Sequence, residues 1–271
     1  MDSEAMELSQ ALAVARAHSE LVESPTRDLA LAEAYAVQAH AFAARGEAVA
    51  GWKLALTNPV GQARMGVEHP ALGRLAAADI SWGAFQASEP PRFEVGPGAT
   101  YAEAELLVVL VRDLPARLSP YDSAEVAAAI GAVHAGIELC GSRYRDDEVG
   151  VGALVADNSF ADRLVIGTRL ATQWEGRLAH MDVRLEHGDG LSVTGNTDAV
   201  MGSPLGAVVW LANWLSARGE SLRRGQVVAT GSCTGMTRVE PGEVLCARFA
   251  GAGEATARMV RREKRGGSHD H

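Results

Sequence analysis

The most chemically suggestive residues are Glu103-Ala104-Glu105, at the head of the most apolar run in the chain, Glu105 to Val111 (ELLVVLV). Side chains two apart on a strand share a side. Two carboxylates so placed repel, and burial raises the cost of their charge. Such a pair at the mouth of an apolar strand suits a hard divalent cation such as Mg2+, which takes carboxylate oxygens and keeps waters that a substrate can displace. From spacing alone a solvated strand end is the favoured reading, because surface glutamate is common. Glu138, in GIELCGSRY, reads as the end of a helix. A carboxylate there opposes the helix dipole and needs a reason: a third ligand to the same cation, or pairing with Arg143 or Arg145. Lys53, flanked by apolar residues in GWKLALT, either snorkels to water or faces an anion. Ser232 and Thr234, in the turn TGSCTGM, offer amides and hydroxyls that can hold a carboxylate, or the glycines simply make a tight turn. GSCTG lacks the G-x-S-x-G spacing of a nucleophile elbow. The eight histidines are scattered, and only His269 and His271 stand close together. The chain carries no zinc signature.

The elements that position these residues are partly legible. Residues 4–20 and Leu29–Arg45 read as helices, the second stopped by Gly46. From Gly51 to about Pro120, glycine, proline and short apolar runs read as strands and loops. Asp122 caps a helix with Glu125 as its reciprocal partner, and Val126, Ala129, Ile130, Val133 and Ile137 supply that helix's apolar face. Met181–His187 and Leu191–Thr197 flank Gly188-Asp189-Gly190 as a hairpin. Ser203-Pro204 opens a helix that Gly219 stops. VVATGS, EVLCARFAG and EATARMVRR read as strands, and the tail GGSHDH reads as disordered. The expected class is α+β.

Composition narrows the function classes. The chain has 271 residues, 47% hydrophobic and 22% charged, which is enough to bury a sizeable core. No run approaches the ~18 apolar residues of a membrane span. The opening MDSEAMELSQ carries acids where an export signal carries bases, so a cytoplasmic location is expected. Cys140, Cys233 and Cys246 form no CxxC pair, which suits a reducing compartment. A net charge of -9 argues against nucleic acid as the main partner.

The ordered blocks GWKLALTNPVGQARMGVEHPALGRL, AEAELLVVLVRDLP, AAIGAVHAGIELCGSRYRD, VADNSF and AVMGSPLGAVVWLANWLSARGESLRRGQVVATGS, with PGE and ARFAGAGEATAR after them, carry a resemblance. Together they resemble the 2-keto-4-pentenoate hydratase and 4-oxalocrotonate decarboxylase family of the fumarylacetoacetate hydrolase superfamily, from about Leu29 to Met259. The resemblance implies a curved mixed β-sheet core wrapped on a helix: a helical N-terminal segment over 1–50, a catalytic domain over 51–262 and a disordered tail over 263–271. It implies Mg2+ or Mn2+ on Glu103, Glu105 and Glu138, with Lys53 catalytic and Asp157 and Asn158 substrate-binding. Ser232 and Thr234 join that substrate-binding set.

The resemblance also implies a metal-dependent lyase that hydrates a 2-hydroxypenta-2,4-dienoate-type acid to a 4-hydroxy-2-oxo acid in aromatic-compound catabolism. The alternative is a 4-oxalocrotonate-type decarboxylase. More remote are a C–C hydrolase, for which the N-terminal part shows no matching His-Glu block, and a non-catalytic subunit, against which the intact glutamate set argues. Family hydratases read P-D-[FY]-G where this chain reads Pro70-Ala71-Leu72-Gly73. Asp79 is then the nearby acid expected to take the missing aspartate's part, unless it is a loop residue. A small oxo acid as partner, no nucleic acid or membrane, and a homo-oligomer complete the expectation.

Overall fold

A computed structural model describes residues 1–82, 89–146 and 148–262. The expected disordered tail, 263–271, lies outside the described residues. The chain opens with α1 (Ser3–His18), capped by Asp2, and α2 (Leu31–Ala43). Then follow β1 (Gly51–Ala55), α3 (Pro59–Met65), β2 (Ala71–Leu75), β3 (Ile80–Trp82), β4 (Arg92–Glu94) and β5 (Thr100–Leu110). After α4 (Ser123–Ala129) come β6 (Ile130–Gly141), α5 (Val151–Ala156) and β7 (Ala161–Ala171). The hairpin β8 (Asp182–His187) and β9 (Leu191–Asn196) precedes α6 (Pro204–Ser216). Last are β10 (Val227–Ser232), β11 (Thr237–Val239), β12 (Val244–Phe249) and β13 (Gly253–Val260).

The larger sheet is mixed and curled, in the order β2-β1-β10-β5-β6-β7-β3, with β11 added along β5. Its β1–β10 and β3–β7 pairs are parallel and the others antiparallel. A smaller sheet runs β4-β13-β12-β8-β9. One face of the large sheet packs its alternate residues Ala104, Leu106 and Val108 into the main core, beneath Ala207, Val208, Leu211 and Leu215 of α6. The stretch Thr197–Ser216 is apolar enough to cross a bilayer by composition. Its regular helix spans only Pro204–Ser216, or about 20 Å of rise against a hydrocarbon layer of about 30 Å. It is the core helix on which the sheet wraps. The opposite face carries a smaller aliphatic cluster, Leu107, Leu164, Ile166 and Ala229 among it, and the polar residues described below.

The expected helix beyond Asp122 is half as long as its apolar spacing predicts. The cap forms: Asp122 Oδ1 accepts from Glu125 N at 2.8 Å, and Glu125 Oε2 accepts from Asp122 N at 3.1 Å. At Ile130 the chain changes to strand and pairs with β5 as far as Gly141. Two features favour the strand. β-branched Ile130, Val133 and Ile137 fit a pleated surface, and at Gly136 a Cβ would stand 2.3 Å from Leu107 Cδ1. Glu138 therefore lies within a strand, not at a helix end.

Candidate metal centre

Register brings the glutamates together. Glu103 on β5 lies directly opposite Glu138 on β6, and Glu105 lies opposite Gly136 on β6 and Ser232 on β10. One carboxylate oxygen from each of Glu103, Glu105 and Glu138 falls within 4.8 Å of the other two. Glu105 is 0% exposed and Glu138 1%. Glu105 Oε2 accepts a hydrogen bond from Gly231 N at 2.8 Å. That amide is aimed by a bulge in β10, where Gly231 adopts φ 117° and a Cβ would stand 2.1 Å from Thr57 Oγ1. Only glycine tolerates both conditions. Glu105 Oε1 and both Glu138 oxygens have no hydrogen-bond donor.

Lys53 is 2% exposed at the centre of β1, opposite Ala229 of β10. Its ammonium stands 3.2 Å from Glu138 Oε1 as an ion pair, without hydrogen-bond alignment. Three acids thus share one base. Burial, then the neighbouring charges of Glu138 and Glu103, raises Glu105 well above the usual carboxylate range. Burial raises Glu138 to about 7, with the attraction of Lys53 offsetting part of the rise. Burial alone would lower Lys53, but the surrounding acids, Glu138 foremost, raise it above the usual lysine range. Cys140 joins the cluster with Sγ 3.7 Å from Glu103 Oε2. Burial, then the Glu103 charge, pushes its thiol well above the usual value. Sequence reasoning passed over Cys140; its spacing of two from Glu138 is the signal that places it here.

Buried carboxylate oxygens without donors are costly unless something else compensates them. The donor set is three carboxylates, the chemistry that hard divalent cations select. The residues therefore fit such an ion.

The other expected site residues fall differently. Ser232 belongs with the cluster: it lies opposite Glu105, and its buried Oγ has no partner. Thr234 Oγ1 is engaged by Ala104 N at 3.3 Å and Gly235 O at 3.4 Å within its turn. Asp79 requires correction. Its carboxylate is 1% exposed and accepts from Arg45 Nη1 at 2.6 Å, Arg45 Nη2 and Arg163 Nη1 at 3.1 Å, and Ala76 N at 2.9 Å, with Arg16 Nη2 also at 3.1 Å. Burial would raise its pKa, but the Arg45 hydrogen bonds and the Arg16 charge hold it below the usual aspartate range. A carboxylate so saturated neither carries a proton nor positions water. Asp157 and Asn158 are engaged within the fold. Asp157 accepts from Arg143 N at 2.7 Å and Arg143 Nη1 at 3.1 Å. Both ends of the Asn158 amide bind the Arg74 backbone at 2.8 Å. These contacts tie both residues to neighbouring backbone and to Arg143.

Ala71 is the β2 partner of Ala55, which shares a sheet face with Lys53 two residues before it. It packs in an apolar cluster with Ala55, Leu56 and Phe160 at its margin.

Residues 78–260 match the family model described as fumarylacetoacetate (FAA) hydrolase C-terminal. The chain is 33% identical over 215 residues to a 2-keto-4-pentenoate hydratase of Paraburkholderia phymatum, covering 79% of each protein. It is 29% identical over 243 residues to a 4-oxalocrotonate decarboxylase of Pseudomonas putida, covering 86% of this chain and 87% of that one. Among solved structures, it resembles 4-oxalocrotonate decarboxylase from Pseudomonas putida G7 complexed with magnesium and adipate. That match has TM-score 0.85 and 29% identity, and it covers 96% of this chain and 98% of the other.

Proposed function

Since this chain belongs to the fumarylacetoacetate hydrolase family, we propose that it is a divalent-metal-dependent lyase acting on a short 2-oxo or 2-hydroxy dienoic acid. On this reading it hydrates an acid of the 2-hydroxypenta-2,4-dienoate type to a 4-hydroxy-2-oxo acid. The observation that carries the proposal is the convergence of Glu103, Glu105 and Glu138 with three buried oxygens lacking donors, beside Lys53. Relatives named as hydratases and decarboxylases support the reaction class.

Glu103, Glu105 and Glu138 would hold Mg2+ or Mn2+, which would supply Lewis-acid polarisation of the bound oxo acid. Glu105 is oriented by the Gly231 amide so that Oε1 is left open. Lys53 holds a proton at Nζ and is the group placed to exchange it with the substrate. Ser232 Oγ offers a free hydroxyl to the substrate carboxylate. Burial of Glu105, Glu138 and Lys53 keeps bulk water from the reacting groups. We assign catalysis to 51–262 and a bracing role to 1–50, supported by Arg16 and Arg45 reaching Asp79. We read the enzyme as a cytoplasmic homo-oligomer. Three free thiols support the compartment, and the family resemblance supports the assembly.

A second reading, decarboxylation of a 2-oxo-3-hexenedioate-type acid, is favoured by Ala71. An apolar wall there recruits no water to the distal carbon. A side-by-side assay of 2-hydroxypenta-2,4-dienoate and 2-oxo-3-hexenedioate, with Mg2+ and with chelator, tests the proposal. Hydration predicts Mg2+-dependent consumption of the dienoate. Release of CO2 from the diacid without consumption of the dienoate would establish the second reading.

A further inference from the structure

Cys140 occupies the position on β6 two residues beyond Glu138, on the same sheet face and opposite Tyr101. It is buried, and Sγ stands 3.7 Å from Glu103 Oε2. From this placement we infer that the edge of the carboxylate centre holds a soft donor pair: Cys140, with Glu103, binds thiophilic divalent ions such as Zn2+ and Cd2+. The inference rests on the reading of the glutamates as a metal centre.

The bite is right for a shared ion. Zinc–oxygen bonds of about 2.0–2.2 Å and zinc–sulfur bonds of about 2.3 Å, at a tetrahedral angle, put the two donor atoms about 3.5 Å apart. The observed separation is 3.7 Å. Independently of the thiol, the buried Glu105 Oε1 and both Glu138 oxygens lack donors. Hard ions such as Mg2+ take oxygen and leave a thiol idle, whereas softer ions prefer sulfur. Cys140 is therefore a bystander to Mg2+ and a ligand to Zn2+ or Cd2+, whose binding replaces the thiol proton and releases it to solvent. A soft ion held this way takes Glu103 from the hard one. The other thiols are placed elsewhere: Cys233 packs in the main core with Ala104 and Leu106, and Cys246 lies on β12.

The test is a titration of Cd2+ into the chelator-stripped full chain. It follows the ultraviolet charge-transfer band that only thiolate-bound Cd2+ gives, with Mn2+ binding read in parallel by electron paramagnetic resonance. Wild type should bind Mn2+, develop a saturable sulfur band with Cd2+, and release Mn2+ as the band grows. Cys140→Ala should lose the band and about tenfold or more of its Cd2+ affinity, while its Mn2+ affinity stays within about twofold of wild type, the carboxylate ligands being intact. Cys140→Ser, close in size, carries the same comparison should the alanine variant fail to fold. Cd2+ binding without a sulfur band, or a band that survives both substitutions, would overturn the inference and leave the carboxylate centre standing. No Mn2+ binding to wild type would overturn the centre itself.

Discussion

Two buried acidic sites among the described residues differ in stoichiometry. Around Asp79, one carboxylate meets three guanidinium groups, from Arg16, Arg45 and Arg163. Around Lys53, three carboxylates share one ammonium. The first is saturated and fastens the N-terminal helices to the turn before β3. The second is deficient in positive charge, and three of its oxygens lack donors. Burial alone therefore does not mark a functional acid; the count of compensating partners does. The clusters also titrate in opposite directions, Asp79 down and Glu105 and Glu138 up.

Glu105→Gln should produce the largest change. The amide is a poorer ligand and carries no charge, so Mg2+ affinity should fall about a hundredfold or more, beyond the usual cost of losing an outer-shell partner. The fold should persist, since a repulsion is relieved. Calorimetric titration checks it, and an unchanged affinity would remove Glu105 from the centre. Asp79→Asn is the mirror experiment. It should cost about 2–3 kcal/mol in urea denaturation, below the ~3–5 of a fully buried pair because the arginines retain some water. Mg2+ affinity should be nearly unaffected; a large loss would join the two clusters functionally.

The catalytic side of the contrast rests on Lys53. Lys53→Ala should lower kcat by about 10²-fold if the ammonium moves a proton. A raised KM with kcat kept would make it a binding group instead.

Acid sharpens the contrast further. Glu138 is raised to about 7, so the folded state holds its proton more tightly than the unfolded chain. Its contribution to the metal-free protein is then unfavourable above about 7 and relieved as pH falls toward the ordinary carboxylate range. Asp79, depressed, contributes stability that is present above the ordinary aspartate pKa and lost as pH falls below it. Melting curves of the metal-free protein against pH, with Glu138→Gln and Asp79→Asn beside wild type, should show the two slopes vanish separately. Mg2+ affinity should weaken below about pH 7, because protons compete for Glu138. A pH-independent affinity between 5 and 8 would contradict that. The smallest effect on metal binding is expected from Ala71→Asp, which puts a carboxylate into a buried apolar cluster and so should lower stability while leaving Mg2+ affinity nearly unchanged. Urea denaturation beside calorimetry checks it.

Parts of this picture were legible in the sequence because they follow short periods. Glu103 and Glu105 share a face by the two-residue repeat of a strand, and the hairpin over Gly188–Gly190 and the cap at Asp122 are local signals. The helix-like spacing of Val126, Ala129, Ile130, Val133 and Ile137 concealed a change of element. A seven-residue helix runs into a strand that becomes certain only when β5 lies alongside. The partners of Asp79 stand 34 and 84 residues away, at Arg45 and Arg163, so its saturation was invisible to local pattern. Asp157 enters through the resemblance alone, and its pairing with Arg143 shows only in the fold. The glycine bulge that aims the Gly231 amide at Glu105 depends on Thr57, brought alongside only by folding.

The central claim, that three buried glutamates outnumber their one base because a divalent ion completes them, is tested most directly by calorimetric titration of Mg2+ into chelator-stripped protein near neutral pH. The account predicts saturable binding at a single site, with proton release that grows as the pH is lowered toward 6. Absence of saturable binding, or binding retained undiminished when Glu105 and Glu138 are both changed to glutamine, would contradict it.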